Sequence, residues 1–379
     1  MNKNIPNINL NDFTNLNYPK KMYKHYSLND NSVNVLTGKE NPYLYFSHPN
    51  QLNDILDGSM LLWDFKNLNQ KYFSLILQGI YKCLGISNKD FIEQFTNDKL
   101  FESYQKSKNV NFEDLKLMLS FLNSFNTGVL SLTENCDNNL MWAHYSYDDG
   151  FVLELNINKL LESLKLNVKD SYIFPITYKK KLYSIDISKY IKFKNNELSM
   201  IEPVLYYIST KYKAWKYEKE WRVLITKDKL GHSRDKLDFI TQKLRDKIFD
   251  QDVPTKQDIF RTDSRKIDIK KETISKIILG PYFFNNLYFS EICEENNKVF
   301  YLFKTSAEIT ENAFQKLQHF LILVREIKEN YNDRIQQIGI ANKTSVNGDI
   351  YIKRKVCFNI KIVELNKFMM AIEKSEIEI

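Results

Sequence analysis

The stretch Lys211-Tyr-Lys-Ala-Trp-Lys-Tyr-Glu-Lys-Glu-Trp-Arg-Val-Leu-Ile-Thr226 joins closely spaced charges to an apolar run that is typical of a strand. Side chains alternate along a strand, so the spacing predicts that Glu218, Glu220 and Arg222 share one face. Aromatic and apolar residues would occupy the other face. Charge on one face and bulk on the other predicts a strand whose polar face opens into a pocket.

The composition limits the class of protein. The chain has 379 residues, with 43% hydrophobic and 27% charged residues, which is the balance of a globular protein with a large core. The four cysteines lie far apart without a CxxC pair, which disfavours a zinc ribbon and suits a reducing compartment. The N-terminus lacks a signal-peptide core, and no run approaches the roughly 18 apolar residues of a membrane span. We therefore expect a cytoplasmic protein with no membrane partner.

The order of predicted elements indicates an α+β fold with a mixed or antiparallel central sheet. Residues 314–327 carry the clearest amphipathic helix, and Asn138 would start a second one. Ser27 would cap a short helix after the first strand. Strands are predicted at 22–27, 41–47, 127–133, 151–155, 274–280, 334–341 and 349–356.

The remaining segments set the domain boundaries. Residues 1–20 predict a flexible arm, and one large domain follows over 21–358. An all-helical insert at 65–125 would interrupt it between strands, with surrounding helices. Residues 226–268 are strongly charged and predict an exposed loop. A helix or tail is expected at 359–379.

Four stretches follow one another along the chain: Tyr45-Phe-Ser-His-Pro-Asn-Gln-Leu-Asn-Asp54, Val129-Leu-Ser-Leu-Thr133 with Leu140-Met-Trp-Ala-His-Tyr145, Gly150-Phe-Val-Leu-Glu-Leu155, and Lys211 to Arg222. In order and spacing over about residues 22–356, they resemble a bacterial family called domain of unknown function 2971 (DUF2971). The resemblance implies a small soluble protein, of a kind found in mobile or phage-defence neighbourhoods, and names no reaction. The insert and the charged segment depart from the family pattern.

The pair Glu218 and Glu220 is also similar to the Glu-x-Glu motif of ADP-ribosyltransferases. That similarity implies NAD as co-substrate. Glu220 would bond a ribose hydroxyl and support an oxocarbenium-like transition state, and Glu218 would activate the acceptor. That fold has an Arg or His on an early strand and then a serine strand, an order matched by His25 and Ser47. The Ser-x-Thr/Ser of that family is not cleanly present here.

Aromatic residues complete the predicted site. A lone histidine on an aromatic helix is more often a core residue than a catalyst; in the functional interpretation, His144 would be a general acid/base or a phosphate donor. Trp142 and Tyr145 would then stack a nicotinamide or a base. Trp215 and Tyr217 indicate a partly desolvated setting for the glutamates and join Arg222 in the predicted binding set.

Metal chemistry is the first alternative. Asn53 and Asp54 follow a strand end, where a turn-capping role competes with ligand binding. Asp54 with the two glutamates would bind Mg²⁺ in a nuclease. No Glu-x-Lys pair follows an Asp-bearing strand and the five histidines are scattered, so we predict no metal site. No Gly-x-Gly-x-x-Gly or Walker loop occurs, which disfavours Rossmann and P-loop binding.

Binding without catalysis is the second alternative. The net charge of +7 is compatible with a nucleotide or nucleic-acid ligand. Lysines interleaved with aromatics over 211–222 would grip a single strand, although a solvated lysine face over core aromatics competes with that interpretation. A sensor whose helical insert meets a protein partner also fits. Of the three hypotheses, we favour the ADP-ribosyltransferase-like effector, as a toxin or phage-defence component.

Overall fold

A large mixed sheet of eleven strands dominates the fold and confirms the predicted α+β class. Asn53, Asp54, most of the predicted insert at 65–125 and most of the charged segment at 226–268 lie outside the described part of the chain. The computed structural model describes residues 16–38, 41–52, 62–65, 67–73, 76, 126–190, 192–194, 197–199, 201–227, 230–231, 263–284, 286–346 and 349–377.

Strands supply the framework within these residues. Those predicted at 127–133, 151–155 and 274–280 are confirmed almost to the residue. The strands are β1 Lys21–Tyr26, β2 Tyr43–Tyr45, β3 Trp63–Asp64, β4 Thr127–Thr133, β5 Phe151–Asn156, β6 Asp170–Pro175, β7 Thr177–Lys179, β8 Ile185–Asp186, β9 Lys192–Lys194, β10 Glu197–Ser199, β11 Thr210–Tyr212, β12 Glu220–Thr226, β13 Lys266–Asp268, β14 Ile274–Leu279, β15 Phe289–Glu295, β16 Lys298–Phe303, β17 Ile335–Val346, β18 Asp349–Leu365 and β19 Met369–Ile377.

Helices cover the sheet and connect its strands. The α-helices are α1 Asp30–Val33, α2 Asn139–Met141, α3 Ile157–Asn167, α4 Ile201–Ser209 and α5 Glu311–Asn330. A π-helix at Trp142–Ser146 continues α2. Short 3-10 helices lie at Pro49–Gln51, Ile187–Lys189, Lys213–Glu218, Asp263–Arg265, Lys271–Thr273 and Asn286–Tyr288.

The strand order places the opening stretch near one end of the sheet. It runs β15-β16-β19-β18-β17-β14-β5-β1-β4-β12-β6. β14 and β17 are parallel, and the other neighbours in this sheet are antiparallel. β12 is paired along its length with β4 and lies between β4 and β6.

The main core lies on one face of the sheet. Leu160 of α3 and Phe320 of α5 pack in one cluster with Val223 of β12. This arrangement confirms the amphipathic helix predicted at 314–327. Because side chains alternate along β12, Glu220 and Arg222 point to the opposite face, away from this core. The polar side of the opening stretch is therefore on the face that α3 and α5 do not cover.

The helix predicted at 359–379 is wrong, because β18 continues through Leu365 and β19 follows it. Glu and Lys make up seven of its 21 residues, and both favour helices in isolation. Ile360 and Ile362 are buried between exposed neighbours, and this alternation is that of a strand. Pairing of β19 with both β16 and β18 satisfies the backbone on two sides and overrides helix propensity.

The cap of α1 also differs from the prediction. Asn29, rather than Ser27, is the N-cap, and its side chain accepts from the backbone N–H groups of Asn31 and Ser32. The Ser27 hydroxyl instead accepts a hydrogen bond of 2.8 Å from Asn29 Nδ2. The helix begins two residues later than expected because an asparagine was available there to cap it.

Candidate functional site

A gap in the central sheet forms a cavity. Within the described residues, β1 and β4 pair only at Tyr23 and Thr133. Further along β4, Ser47 takes the neighbouring position through an isolated bridge to Val129. The strands therefore part between these two points, and a cavity of about 200 Å³ opens there.

Six predicted site residues come together in this cavity. Trp142, His144, Trp215 and Tyr217 lie around it without lining it, and Asn53 and Asp54 lie outside the described part of the chain. The pocket expected on the polar face of the opening stretch is thus present. The six predicted lining residues are His25, Ser47, Tyr145, Glu218, Glu220 and Arg222.

Glu218 and Glu220 share a lysine rather than a strand face. Glu218 ends a 3-10 helix, and Lys219 then adopts a left-handed backbone conformation with a φ of 43°. The predicted common strand face is therefore wrong for Glu218, because the left-handed turn separates it from β12. The turn still directs both carboxylates to the buried Lys211, whose Nζ lies 2.7 Å from Glu218 Oε2 and 3.2 Å from Glu220 Oε2.

Hydrogen bonds hold this turn in place. The Thr133 hydroxyl donates to the backbone oxygen of Glu218 at 2.6 Å. The backbone N–H of Glu220 donates to the Tyr178 hydroxyl at 2.8 Å. Asn138, at the start of α2, donates from Nδ2 to the backbone oxygen of Tyr217 at 2.8 Å. Three separate elements thus fix the positions of the two carboxylates.

Arg222 keeps Glu220 ionised. Its side chain is fully buried, with Nε 2.7 Å from Glu220 Oε1 and Nη1 2.6 Å from the Ile208 carbonyl oxygen. Burial alone would raise the pKa of Glu220, but Arg222 and then Lys211 outweigh it and lower this pKa to about 2. Glu220 is a fixed negative charge at neutral pH.

Glu218 has the opposite tendency. Burial, and then the charge of Glu220, raise the pKa of Glu218 above its usual value, with Lys211 acting against them. The Tyr145 hydroxyl donates to Glu218 Oε1 at 2.5 Å. Two adjacent carboxylates whose pKa values are pushed apart are the arrangement that divides acid/base work from charge stabilisation. Glu218 is the candidate proton carrier and Glu220 the candidate stabiliser.

His25 lies on the β1 side of the cavity. Its Nδ1 is 2.9 Å from the buried Ser146 Oγ, and its ring meets Trp142 edge-on with centroids 5.2 Å apart. Nε2 is buried and has no hydrogen-bond partner in the described part of the chain. Burial, with a contribution from Lys24, lowers the pKa of His25 to about 3. The imidazole is neutral at pH 7.

The other predicted aromatics form a group beside the carboxylates. His144 is exposed, and its Nδ1 lies 3.3 Å from the Tyr217 hydroxyl. The rings of Trp215 and Tyr217 are 6.1 Å apart, and Lys211 Nζ lies 4.7 Å from the Trp215 centroid. Trp215 thus packs against the lysine of the ion pairs, and the group does not line the cavity itself.

The basic face proposed for a nucleic acid is smaller than expected. Lys211 and Arg222 are buried against carboxylates and do not face solvent. Lys213, Lys216 and Lys219 remain exposed. Two of the five cations in that pattern therefore belong to the cavity instead.

Residues 141–223 match the family model described as "Protein of unknown function (DUF2971)". Over this segment the chain is similar to the DUF2971 family, which agrees with the resemblance expected from the sequence. The DUF2971 segment contains Tyr145, Lys211, both glutamates and Arg222, whereas β1 and Ser47 precede it. No curated protein and no solved structure matches the chain. The residues of the ion-pair wall thus lie within the segment that matches the DUF2971 model, and the opposite wall comes from outside that segment.

Nine of the fifteen lining residues were not predicted as site residues, among them Lys24, Ser131 and Lys211. Ser131 could have been found, because it falls on the polar phase of a strand whose other phase, Leu130 and Leu132, is apolar. Lys24 adjoins the predicted His25. Lys211 carries no local signal, since the DUF2971 segment contains several lysines that look alike in sequence.

Two general properties can be stated for the residues that the structure describes. No helix among them is long and apolar enough to cross a membrane. No group of at least three His, Cys, Asp or Glu side chains among them is arranged to hold a metal ion.

Asn138 provides a test of how the DUF2971 segment is assembled. Its side chain caps α2 through the N–H of Leu140 at 2.9 Å and also bonds Tyr217. Asn138→Ala is expected to lower the free energy of unfolding by about 2 kcal/mol, since it removes a cap and a second hydrogen bond. Asn156→Ala removes only the cap of α3 and should cost about 1 kcal/mol. Urea unfolding measures both; equal costs would contradict a bracing role for the Tyr217 bond.

Proposed function

We propose that the protein transfers ADP-ribose from NAD to an acceptor, as a toxin or phage-defence effector in the cytoplasm. One observation supports this above the others. His25, Ser47, Glu218 and Glu220 come from separate elements and line a single cavity. The order of these residues along the sequence suggested this chemistry, and their convergence makes a shared site the simplest explanation of it.

The two carboxylates would divide the reaction between them. The bond between ribose C1′ and the nicotinamide nitrogen breaks, and its electron pair leaves with nicotinamide. Glu220, held ionised by Arg222, offsets the positive charge that develops on the ribose ring. The acceptor then bonds to C1′, and its proton passes to Glu218, whose raised pKa makes it the stronger base.

Binding of the ribose would require one exchange of partners. Glu220 has one oxygen 2.7 Å from Arg222 Nε and the other 3.2 Å from Lys211 Nζ. A ribose hydroxyl approaching Glu220 would replace the longer contact, because Lys211 retains its 2.7 Å bond to Glu218. The site can therefore accept a ligand without losing the Arg222 pair.

Metal-dependent cleavage of nucleic acid has less support from the geometry. A Mg²⁺ site needs carboxylate oxygens free to bind the ion. Here Lys211 contacts both glutamates and Arg222 contacts Glu220. A divalent cation would have to displace these cations from a buried position. The non-catalytic sensor hypothesis depends on the insert at 65–125, and the experiment below separates it from the enzyme.

The test is incubation of the full chain with labelled NAD and cell lysate. We expect label on an acceptor and loss of NAD. Glu220→Gln should reduce both by at least about 100-fold, since removal of a preorganised stabilising group has that order of effect. Lys165→Met, at an exposed position on α3, is the control and should keep wild-type activity.

Three outcomes would contradict the proposal. They are the absence of both NAD loss and label transfer with folded wild-type protein, turnover unchanged in Glu220→Gln, and nuclease activity that a chelator abolishes. Circular dichroism and a melting curve for each variant separate loss of chemistry from loss of fold. A cellular effect that survives Glu220→Gln and is lost when the insert is altered would favour the sensor.

A further inference from the structure

We propose that the β1 side of the cavity binds an oxyanion, specifically a phosphoryl group, through Lys24, His25 and Ser47. All three side chains line the cavity. The proposal concerns binding alone and holds whether or not NAD is the substrate. It rests on a difference between the two walls of the cavity: one is a network of ion pairs, and the other has polar groups without a partner among the described residues.

The paired wall is the ion-pair network. Glu218 and Glu220 are bonded to Lys211, and Glu220 also to Arg222, so these charges largely satisfy one another. Of the described charged side chains, three cations line the cavity against two carboxylates. The cation in excess is Lys24. The cavity lining therefore has an excess positive charge, which an anionic ligand would balance.

Lys24 is the third cation that lines the cavity. It is partly exposed, and its ammonium makes no hydrogen bond or salt bridge to any residue that the structure describes. Burial lowers the pKa of Lys24; the charge of Glu220 acts against this shift and that of Arg222 adds to it. A cation withdrawn from water is costly unless it is paired. A bound anion would supply that partner.

His25 and Ser47 add donors next to this charge. His25 is 8% exposed, and Nε2 is buried without a described partner. When the Ser146 hydroxyl donates to Nδ1, Nε2 carries the proton and becomes a donor. The Ser47 side chain likewise makes no hydrogen bond within the described ranges. Three donors can meet the three oxygens of a phosphoryl group, whereas a carboxylate offers two.

Calorimetric titration of the full chain tests the proposal. The probes are inorganic pyrophosphate, ADP-ribose and adenosine, which lacks phosphate. We expect pyrophosphate and ADP-ribose to bind and adenosine not to bind. Lys24→Met should weaken pyrophosphate binding by about 10- to 100-fold, because it removes a charge-assisted hydrogen bond. Ser47→Ala should weaken it by about three- to tenfold. The control Lys165→Met should bind like the wild type.

The variants also separate binding from a structural role. Lys24→Arg keeps the charge and should recover most of the affinity lost in Lys24→Met. The ring ¹⁵N signals of His25 should shift when pyrophosphate is added. Failure of folded wild-type protein to bind either phosphate probe, or equal affinity in Lys24→Met, would overturn the proposal.

The proposed function and this proposal can fail separately. Pyrophosphate binding that depends on Lys24, without any turnover of NAD, would support the oxyanion subsite and reject the transferase. Turnover of NAD, together with pyrophosphate binding that Lys24→Met does not change, would support the transferase and reject the oxyanion subsite. Tighter binding of ADP-ribose than of pyrophosphate identifies a nucleotide as the source of the phosphoryl group, and equal binding identifies free phosphate.

Discussion

Arg222→Met is expected to lower the free energy of unfolding by about 3–5 kcal/mol, because it leaves a buried carboxylate without its main partner. The guanidinium is fully buried and bonds both Glu220 and the Ile208 carbonyl oxygen. Methionine fills much of the same space but donates nothing. Glu220 would keep Lys211, and its pKa would rise because Arg222 is the largest influence holding it down. Urea unfolding at neutral pH measures the loss.

A surface ion pair is the matched control. Lys266→Met breaks the contact with Asp263, where the two side chains are 42% and 85% exposed. We expect a cost below about 1 kcal/mol there, because water screens exposed charges. Adding Glu220→Gln to Arg222→Met should cost less than Glu220→Gln alone, since the partner charge is already gone. Equal costs for Arg222→Met and Lys266→Met would mean that the buried network contributes little to stability.

The sequence predicts the strands of the sheet correctly where one face of the strand is apolar. The alternation of Leu130 and Ser131, and of Val223 and Arg222, indicates strands whose polar phase faces a cavity. Each of these strands could be predicted from its own alternation of polar and apolar residues, without knowledge of its partner strand. The failure at 359–379 has a different cause, because the pairing of β19 with β16 joins segments about seventy residues apart. Local propensity contains no information about such a partner.

Part of the candidate site could also be predicted from local alternation along a strand. Glu220 and Arg222 lie on β12 as their spacing predicts. Glu218 reaches the same lysine only because Lys219 adopts a positive φ. A positive φ is uncommon for residues other than glycine, so the sequence gives no sign of this turn. The role of Lys211 depends on that turn. Convergence of His25 and Ser47 with the glutamates depends on the gap between β1 and β4, which is a property of strand pairing and not of either strand.

Acidification is expected to destabilise the protein through His25. The pKa of this histidine is about 3 in the folded state, against 6.5 for an ordinary histidine. Between these values the unfolded chain binds a proton that the folded chain does not. Stability is therefore complete above pH 6.5 and falls as the pH drops towards 3. At 1.36 kcal/mol per pH unit, the loss is about 2 kcal/mol at pH 5 and about 4 kcal/mol at pH 3, where the folded histidine is itself half protonated.

Comparison with His25→Gln isolates this contribution. Glutamine does not titrate and can still bond Ser146, so the drop in stability from pH 7 to pH 5 should be about 2 kcal/mol smaller in the variant. Glu218 acts in the opposite sense, because its raised pKa favours the folded state as the pH falls. Glu218 is present in both the wild type and His25→Gln, so its effect cancels when the pH dependence of their stabilities is compared.

The same measurement links stability to the proposed oxyanion subsite. A phosphoryl group beside Nε2 would favour the imidazolium and so raise the pKa of His25 in the folded state. With saturating pyrophosphate, the decrease in the free energy of unfolding of the wild type between pH 7 and pH 5 should therefore become smaller. His25→Gln should show no such change. Identical pH profiles for wild type and His25→Gln would show that the imidazole is accessible to protons in the folded protein, which is incompatible with a buried, neutral donor at this wall of the cavity.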